Sequence, residues 1–472
     1  MQKTKMIFTI GPASDNEKVL SKFIDIGMSA ARLNFSHGTH ETHKEKIDLI
    51  KRLRKEKNSS TAIILDIKGP KIRTHNFIND GVVLEKGQEF SFICGEEILG
   101  DSSRCSITYD VLYKDVQIGG TILVDDGLLK FQVVNIIGKE IKCIVKVGGT
   151  IKNHKGVNVP GVSIKLPSVT EKDIDDIRFG CKMGVDFIAA SFIRKASDIL
   201  EVKKILKEEN NDHIQVIAKI ESQEGVDNID SILEVTDGIM VARGDMGVEI
   251  PIEKVPIIQK KIIKKCNDCG KVVITATQML DSMIRNSMPT RAEASDICNA
   301  IFDGTDAIML SGESASGNFP IEAAKTMAKI AQEAESNLEY SHLHNAILDP
   351  NLDSTAAAIS YSACRTSFVL NTKAIVAATK SGSTATLIAK YHPKAPIVAI
   401  TPFEEVRRSL SLNFGVFPIR CSMFNTTDEI INEARKVVLD LNLAKKDESI
   451  IVAAGMPTTQ TGCTNMLKIE KI

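Results

Sequence analysis

The pattern of this chain predicts an α/β architecture: a (β/α)₈ (TIM-type) barrel, a β-rich lid domain inserted after its third strand, and a C-terminal α/β regulatory domain. Three observations carry that prediction. Short apolar segments alternate with amphipathic helical stretches through the first two thirds of the chain, and eight of them have strand character. Between about Thr74 and Pro160 the rhythm stops, and period-2 segments with turn residues replace it. After residue 353 the alternation of strand and helix returns. A length of 472 residues agrees with roughly three domains. The expected division is 1–70 with 168–340 for the barrel, 71–167 for the lid and 341–472 for the third domain.

Taken in order, Lys5 to Ile10 predicts a strand ended by Gly11-Pro12, and Glu17 to Ile26 an amphipathic helix. Ala30 to Asn34 predicts the second strand and His40 to Lys57 the second helix. Thr61 to Ile67 is almost wholly apolar, as a strand covered on both faces should be. In the insertion, Glu89 to Cys94, Thr121 to Val124, Leu128 to Val134 and Ile141 to Val147 read as strands. Helical pattern resumes at Thr170, a candidate N-cap with Asp173 three residues on. Val185 to Ser191, Ile214 to Ile220, Gly238 to Val241, Val272 to Ala276 and Ala307 to Leu310 complete eight strands. Residues 336–353 read as a polar connection with some helix, and Ala374 to Ala378, Ile397 to Ile400, Gly415 to Pro418 and Ile450 to Ala453 as strands of the third domain. No internal repeat stands out.

Composition narrows the function. Lys+Arg 59 against Asp+Glu 60 leaves a net charge of −1, which suggests no nucleic-acid or membrane-surface partner. No run of 18 apolar residues and no secretory leader pattern is present, so a cytoplasmic location is expected. The ten cysteines are scattered through mostly apolar segments, as reduced thiols are, and Cys266-x-x-Cys269 lacks the second pair a metal site needs.

The chemistry is expected at the rim, where the carboxyl ends of all eight strands gather. Val216 to Val226 shows it best. Side chains on a strand alternate, so Lys219 and Glu221 share one face at the end of an apolar run. An ammonium beside a carboxylate that can hold Mg²⁺ suits phosphoryl transfer or enolate chemistry. Similar groups follow the other strands: Arg32, Asn34 and Ser36; Asp66, Lys68, Lys71 and Arg73; Arg194 and Lys195; Arg243 and Asp245; Thr277 and Gln278; Ser311 and Glu313. Glu221 and Asp245 form a candidate Mg²⁺ (or Mn²⁺) pair, and the cations would neutralise phosphate and carboxylate charge. No Ser-His-Asp arrangement is apparent, since only His37 falls on the rim, and no Walker-type or Gly-x-Gly-x-x-Gly loop opens a helix.

Six blocks resemble the pyruvate kinase family: Ala31-Arg32-Leu33-Asn34-Phe35-Ser36-His37-Gly38, Leu65-Asp66-Ile67-Lys68-Gly69-Pro70, Lys219-Ile220-Glu221-Ser222, Ala242-Arg243-Gly244-Asp245-Met246-Gly247, Ala276-Thr277-Gln278-Met279-Leu280 and Pro289-Thr290-Arg291-Ala292-Glu293. The resemblance covers essentially the whole chain. It implies transfer of the phosphoryl group of phosphoenolpyruvate to ADP, giving ATP and enolpyruvate, which is protonated to pyruvate. It implies Mg²⁺ on Glu221 and Asp245, the phosphoryl group between Lys219 and Arg32, and the substrate carboxylate at Gly244, Asp245 and Thr277. Thr277, with a water relay near Ser311 and Glu313, is implied as the proton path. Arg73 and Lys155, with Asn34, His37 and Lys195, are implied nucleotide contacts.

Departures from the family pattern carry their own expectations. Relatives that require K⁺ hold it at positions matching Asn34, Ser36, Asp66 and the carbonyl of Ile67, and have Glu where this chain has Lys71. Two unit charges about 4 Å apart repel by roughly 4 kcal/mol at an effective dielectric of ~20, so the Lys71 ammonium is expected to replace the ion. Lys165 stands where animal relatives have an acidic residue, so lid behaviour is not transferred from them. Thr379-Lys380-Ser381-Gly382-Ser383-Thr384 matches the family's sugar-phosphate effector loop and offers backbone N–H groups to a phosphate. The chain has no Trp and no Arg between Gly455 and Asn465, so a monophosphate fits as well as a bisphosphate. The family resemblance implies a homotetramer. Two other readings remain at this level: an Mg²⁺-dependent enolate-forming lyase or aldolase barrel, and a non-catalytic metabolite-binding protein on the same fold.

Overall fold

The computed structural model describes residues 1–162, 164–340, 354–457 and 464–472. Eight parallel strands close into a barrel: β1 (Lys5–Thr9), β2 (Met28–Asn34), β3 (Ala62–Asp66), β4 (Phe187–Ala190), β5 (Gln215–Ile220), β6 (Gly238–Ala242), β7 (Val272–Ala276) and β8 (Ala307–Leu310). Each is buried along nearly its whole length, because helices cover the outside and side chains fill the inside. The interior is packed by Ile7, Ile64, Phe187, Ile217, Met240, Ile274 and Met309. Between strands and helices lies a larger layer that includes Phe8, Phe23, Leu33, Leu65 and Ile188. The helices start where capping chemistry permits: Thr39, Thr170 and Thr290 each accept from the backbone three residues on, in capping boxes.

The floor of the barrel, at the amino ends of the strands, shows a threefold pattern that the sequence reading passes over. Asp186, Asp237 and Asp306 each stand immediately before an even-numbered strand. Their carboxylates accept the backbone N–H of Ile63 (2.9 Å), Val216 (2.8 Å) and Val273 (2.9 Å), near the start of the preceding strand in the barrel. Short carboxylates at these positions splice adjacent strands where the ladder begins.

The insertion leaves the rim after β3 at Gly69. This residue has φ +68, and an added Cβ would lie 2.9 Å from the Cβ of Ser191, so only glycine fits the exit. A seven-stranded sheet follows, joining Ile72–Arg73, Gly156–Asn158, Thr121–Val124, Leu129–Ile137, Glu140–Val147, Glu89–Ile93 and Arg104–Ser106, with Gly81–Leu84 and Gly149–Lys152 as a separate pair. Phe90, Phe92 and Phe131 meet at its centre. Five of these strands are absent from the sequence reading: at two to four residues each they are too short to show a period.

In the third domain, Ile375–Ala378, Ile397–Thr401, Val416–Arg420 and Ser449–Gly455 run parallel. An additional edge strand, Thr464–Lys471, pairs antiparallel with Ser449–Gly455. The domain docks on the barrel floor: Leu412 is fully buried with the barrel's interior side chains, Phe414 N–H donates to Asp306 (3.2 Å), and Arg408 pairs with Asp186 (2.6 Å). Of the expected polar connection at 336–353, residues 341–353 lie outside the described residues. Among the described residues, no helix is long and apolar enough to cross a membrane.

Candidate active site

At the rim, Asp66 is the hub. It ends β3 buried and accepts from Arg32 Nε at 2.6 Å through one oxygen and from Lys219 Nζ at 3.0 Å through the other. Burial pushes its carboxyl up, yet the two cations outweigh that and hold it below the usual range. Lys219, on β5, donates also to the Ser191 hydroxyl (2.7 Å) and stands 3.2 Å from Glu221. Burial lowers its ammonium, and Asp66 with Glu221 reverses the shift, so it stays charged. Arg32 additionally reaches Thr9 Oγ1 (3.0 Å) through one terminal nitrogen, and among the described residues its other one has no partner.

Glu221 follows β5 and is almost wholly buried, with Oε2 accepting the Phe192 N–H at 2.7 Å. Burial raises its carboxyl to about 7; Lys219 opposes the shift and the charge of Asp245 adds to it. Buried Glu221 with half-buried Asp245 nearby offers carboxylate oxygens that suit a hard divalent cation, which takes oxygen donors and keeps water in its remaining places. Gly244 N–H donates to the Thr277 hydroxyl (2.8 Å), which donates to the Ala276 carbonyl (2.6 Å). The backbone here is unusual: Phe192, Thr277 and Gln278 have φ of 56, 69 and 54, in a region that costs non-glycine residues energy and that clusters at functional sites.

The structure divides the expected cations. Arg32 and Lys219 converge on Asp66. Lys71 does not join Asn34, Ser36, Asp66 and Ile67; its ammonium lies 3.3 Å from Asp245 and 3.4 Å from Asp126 of the lid. Burial lowers its ammonium, but those carboxylates outweigh burial and raise it. In the expected monovalent-ion set, Asn34 Oδ1 accepts the Ser36 N–H (3.1 Å) and the Ile67 carbonyl accepts the Ser191 hydroxyl (2.7 Å). Arg194 turns to the carbonyls of Ile164 and Leu166 (2.8 Å to the latter), and Arg243 turns inward as described below. Both guanidinium groups are turned away from Asp66, the terminal nitrogens of Arg194 onto carbonyls and those of Arg243 onto Asp296 and the Thr277 carbonyl.

On the lid, Arg73 pairs opposite Gly156 and donates to the His154 carbonyl (2.8 Å), while Lys155 holds Asp125 (2.9 Å), so these two cations share one corner. His37 and Lys195 are exposed, Lys195 at the start of the helix Ala196–Glu208. Glu313 is buried and fully used by backbone: Leu280 N–H (3.0 Å) and Ser311 N–H (2.7 Å). The Ser311 hydroxyl is buried without a hydrogen-bond partner among the described residues. In the third domain, Gly382 N–H donates to Thr379 Oγ1 (2.8 Å) and Ser381 bonds Ser383 (3.1 Å) within the loop carrying Lys380, and Thr384 bonds Thr464 (2.7 Å) of the edge strand. Of the final loop, residues 458–463 lie outside the described residues. Ser191 and Thr9, which hold Lys219 and Arg32, are missing from the sequence reading; their signal is a polar residue at the end of an apolar strand.

Fold and rim together define a phosphate-transferring barrel enzyme, with cations and carboxylates interleaved at the strand ends and a lid on the third β–α connection. Comparison with known proteins makes the class specific. Residues 1–324 match the family model described as "Pyruvate kinase, barrel domain" and 357–470 that described as "Pyruvate kinase, alpha/beta domain". The pyruvate kinase of Clostridium perfringens (strain 13 / Type A) is 67% identical over 474 residues, covering 100% of both chains, and that of Clostridium acetobutylicum 55% over 472, again covering 100% of both. The crystal structure of a pyruvate kinase from Cryptosporidium parvum superposes with a TM-score of 0.95 at 40% identity, covering 100% of this chain and 96% of that one. The chain belongs to the pyruvate kinase family. The lyase and binding-protein readings are not favoured by matches of this extent.

Proposed function

We propose that this chain transfers the phosphoryl group of phosphoenolpyruvate to ADP. The bond from phosphorus to the enol oxygen breaks, a bond to a terminal β-phosphate oxygen of ADP forms, and enolpyruvate takes up a proton to become pyruvate. The observation that carries the reading is the pair of cations on one buried carboxylate: Asp66 aims Lys219 and Arg32, Arg32 keeps a terminal nitrogen for a phosphoryl oxygen, and Lys219 brings a buried positive charge beside it. Such transfer asks the protein mainly for position and charge.

Glu221 and Asp245 would hold Mg²⁺ or Mn²⁺, which when bound supplies charge neutralisation for the substrate's phosphate and enolate oxygens. Gly244 N–H and the Thr277 hydroxyl, bonded to each other here, would turn to the substrate carboxylate with Asp245 alongside. The proton would pass along Thr277, Ser311 and Glu313, with the unpartnered Ser311 hydroxyl as the link. Arg73 and Lys155, with Asn34, His37 and Lys195, would contact the nucleotide. The working division is a catalytic barrel of 1–70 and 168–340, a lid of 71–167 and an effector-responsive domain of 341–472. The loop Thr379 to Thr384 would take a phosphorylated sugar or nucleotide, in a cytoplasmic homotetramer serving glycolysis. Lys71 would supply positive charge that K⁺ supplies elsewhere, acting through Asp245 and Asp126 and not from within the Asn34, Ser36, Asp66 and Ile67 set.

The test is pyruvate formation from phosphoenolpyruvate and ADP with Mg²⁺, in sodium-only and in potassium buffer at equal ionic strength. Equal rates are expected. Strong stimulation by K⁺ would discard the role of Lys71 alone, and absence of pyruvate from folded protein would discard the reaction.

A further inference from the structure

Arg243 stands at the rim one residue before Gly244 and two before Asp245, where a guanidinium would ordinarily be assigned to an anionic substrate. All five of its N–H groups are spent inside the protein. Nε donates to the Ala276 carbonyl (3.3 Å), and one terminal nitrogen donates to both oxygens of Asp296 (2.7 Å each) and toward Gln259 Oε1 (3.4 Å). The other donates to the Thr277 carbonyl (2.6 Å) and contacts Met279 Sδ (2.8 Å). Three helices thus fix the guanidinium: its own, Arg243–Glu249; that of Gln259, Val255–Cys269; and that of Asp296, Arg291–Phe302.

The carbonyls it grips flank the strained turn. Thr277 is β-branched and sits at φ +69, followed by Gln278 at φ +54. A β-branched residue enters that region only where its surroundings over-determine it. A planar fork bonded to the carbonyls of 276 and 277 fixes both peptide planes, and so sets the direction of the Thr277 hydroxyl toward Gly244.

We infer that Arg243 is a positioning residue, not a substrate-binding cation: braced by Asp296, it holds Thr277 in its left-handed conformation so that the Thr277 hydroxyl and the Gly244 N–H present one carboxylate-binding edge. This inference rests on the proposed role of Thr277. The test is calorimetric titration of Mg²⁺ alone, then of oxalate in saturating Mg²⁺, on wild type, Arg243→Met, Asp296→Ala, Thr277→Ala and the double variant Arg243→Met/Thr277→Ala. Oxalate presents the same edge of adjacent oxygens as enolpyruvate. Arg243→Met should weaken oxalate by on the order of 30-fold, the scale of a displaced positioning group, while Mg²⁺ affinity stays within about threefold. Asp296→Ala should weaken oxalate in the same direction by on the order of fivefold, although Asp296 reaches no substrate. In the Thr277→Ala background, Arg243→Met should cost less than about threefold more, because it acts through Thr277. Full additivity of the two single effects would overturn the inference and leave Thr277 its role. Loss of Mg²⁺ affinity in parallel with oxalate would reduce Arg243 to general support. Oxalate bound equally by wild type and Thr277→Ala, or not bound by wild type at all, would remove the role of Thr277 and the inference with it.

Discussion

The floor and the rim of the barrel are opposite ends of the same eight strands, and both carry carboxylates, but they satisfy them differently. At the floor, Asp186, Asp237 and Asp306 are each committed to a backbone N–H of the preceding strand, and cations such as Arg54, Arg408 and Lys203 only complete them. At the rim, Asp66 is held by side chains, two cations and the Ser191 hydroxyl (3.4 Å), and Glu221 by one backbone N–H and an ammonium, while the neighbouring backbone is strained at Phe192, Thr277 and Gln278. A carboxylate bonded to the ladder is architecture. One that aims cations concentrates positive charge at the rim and leaves Arg32 a terminal nitrogen for something else.

The comparison fails if changes at the two ends have the same consequences. The largest effect is expected at the rim: Lys219→Met should lower kcat by on the order of 10³ with folding intact, and a variant within tenfold of wild type would cancel the distinction. At the floor the reverse is expected: Leu412→Ala, which empties a fully buried position against the barrel interior, should cost about 3 kcal/mol in denaturant unfolding while kcat changes less than about threefold.

A smaller effect separates the ends by pH. With Glu221 raised to about 7, a proton competes with the metal below that pH and not above it. Mg²⁺ affinity measured by titration should therefore climb by up to about tenfold per unit toward pH 7 and then level; a flat profile from pH 5.5 to 8 would contradict the assignment. The smallest expected effect is at Lys5, which burial lowers to about 8 beneath the third domain, with Glu335 and Asp306 opposing. Its folded pKa lies below its unfolded one, so the unfolded chain binds more protons between about 8 and 10.5 and stability contributed by this site rises with pH through that window. Wild type should gain on the order of 1–3 kcal/mol on Lys5→Met between pH 7.5 and 10.5.

The barrel was legible because strands covered on both faces must be apolar throughout, and eight such runs between helices leave few arrangements. Lys219, Glu221, Arg32 and Asp66 were legible because a charged residue at the end of an apolar strand has few structural reasons to be there. Which way a rim side chain turns was not: Arg243 and Arg194 read as substrate cations, yet Arg243 turns to Asp296 and the Thr277 carbonyl and Arg194 to two carbonyls, and Lys71 lies against Asp245 and Asp126. Orientation depends on acceptors far away in sequence, such as Asp296 for Arg243, and no local pattern encodes it. The edge strand Thr464–Lys471 was hidden by charges that alternate along it, as an exposed edge permits.

Leu412, lodged among the barrel's interior side chains, has a consequence for where this protein can be cut. The family models stop at 324 and restart at 357, which invites a construction that ends between them. Such a cut would pull the stopper from the barrel, strip Arg408 from Asp186 and the Phe414 amide from Asp306, and wet the apolar floor. The division visible along the sequence is not a plane of cleavage in the folded molecule.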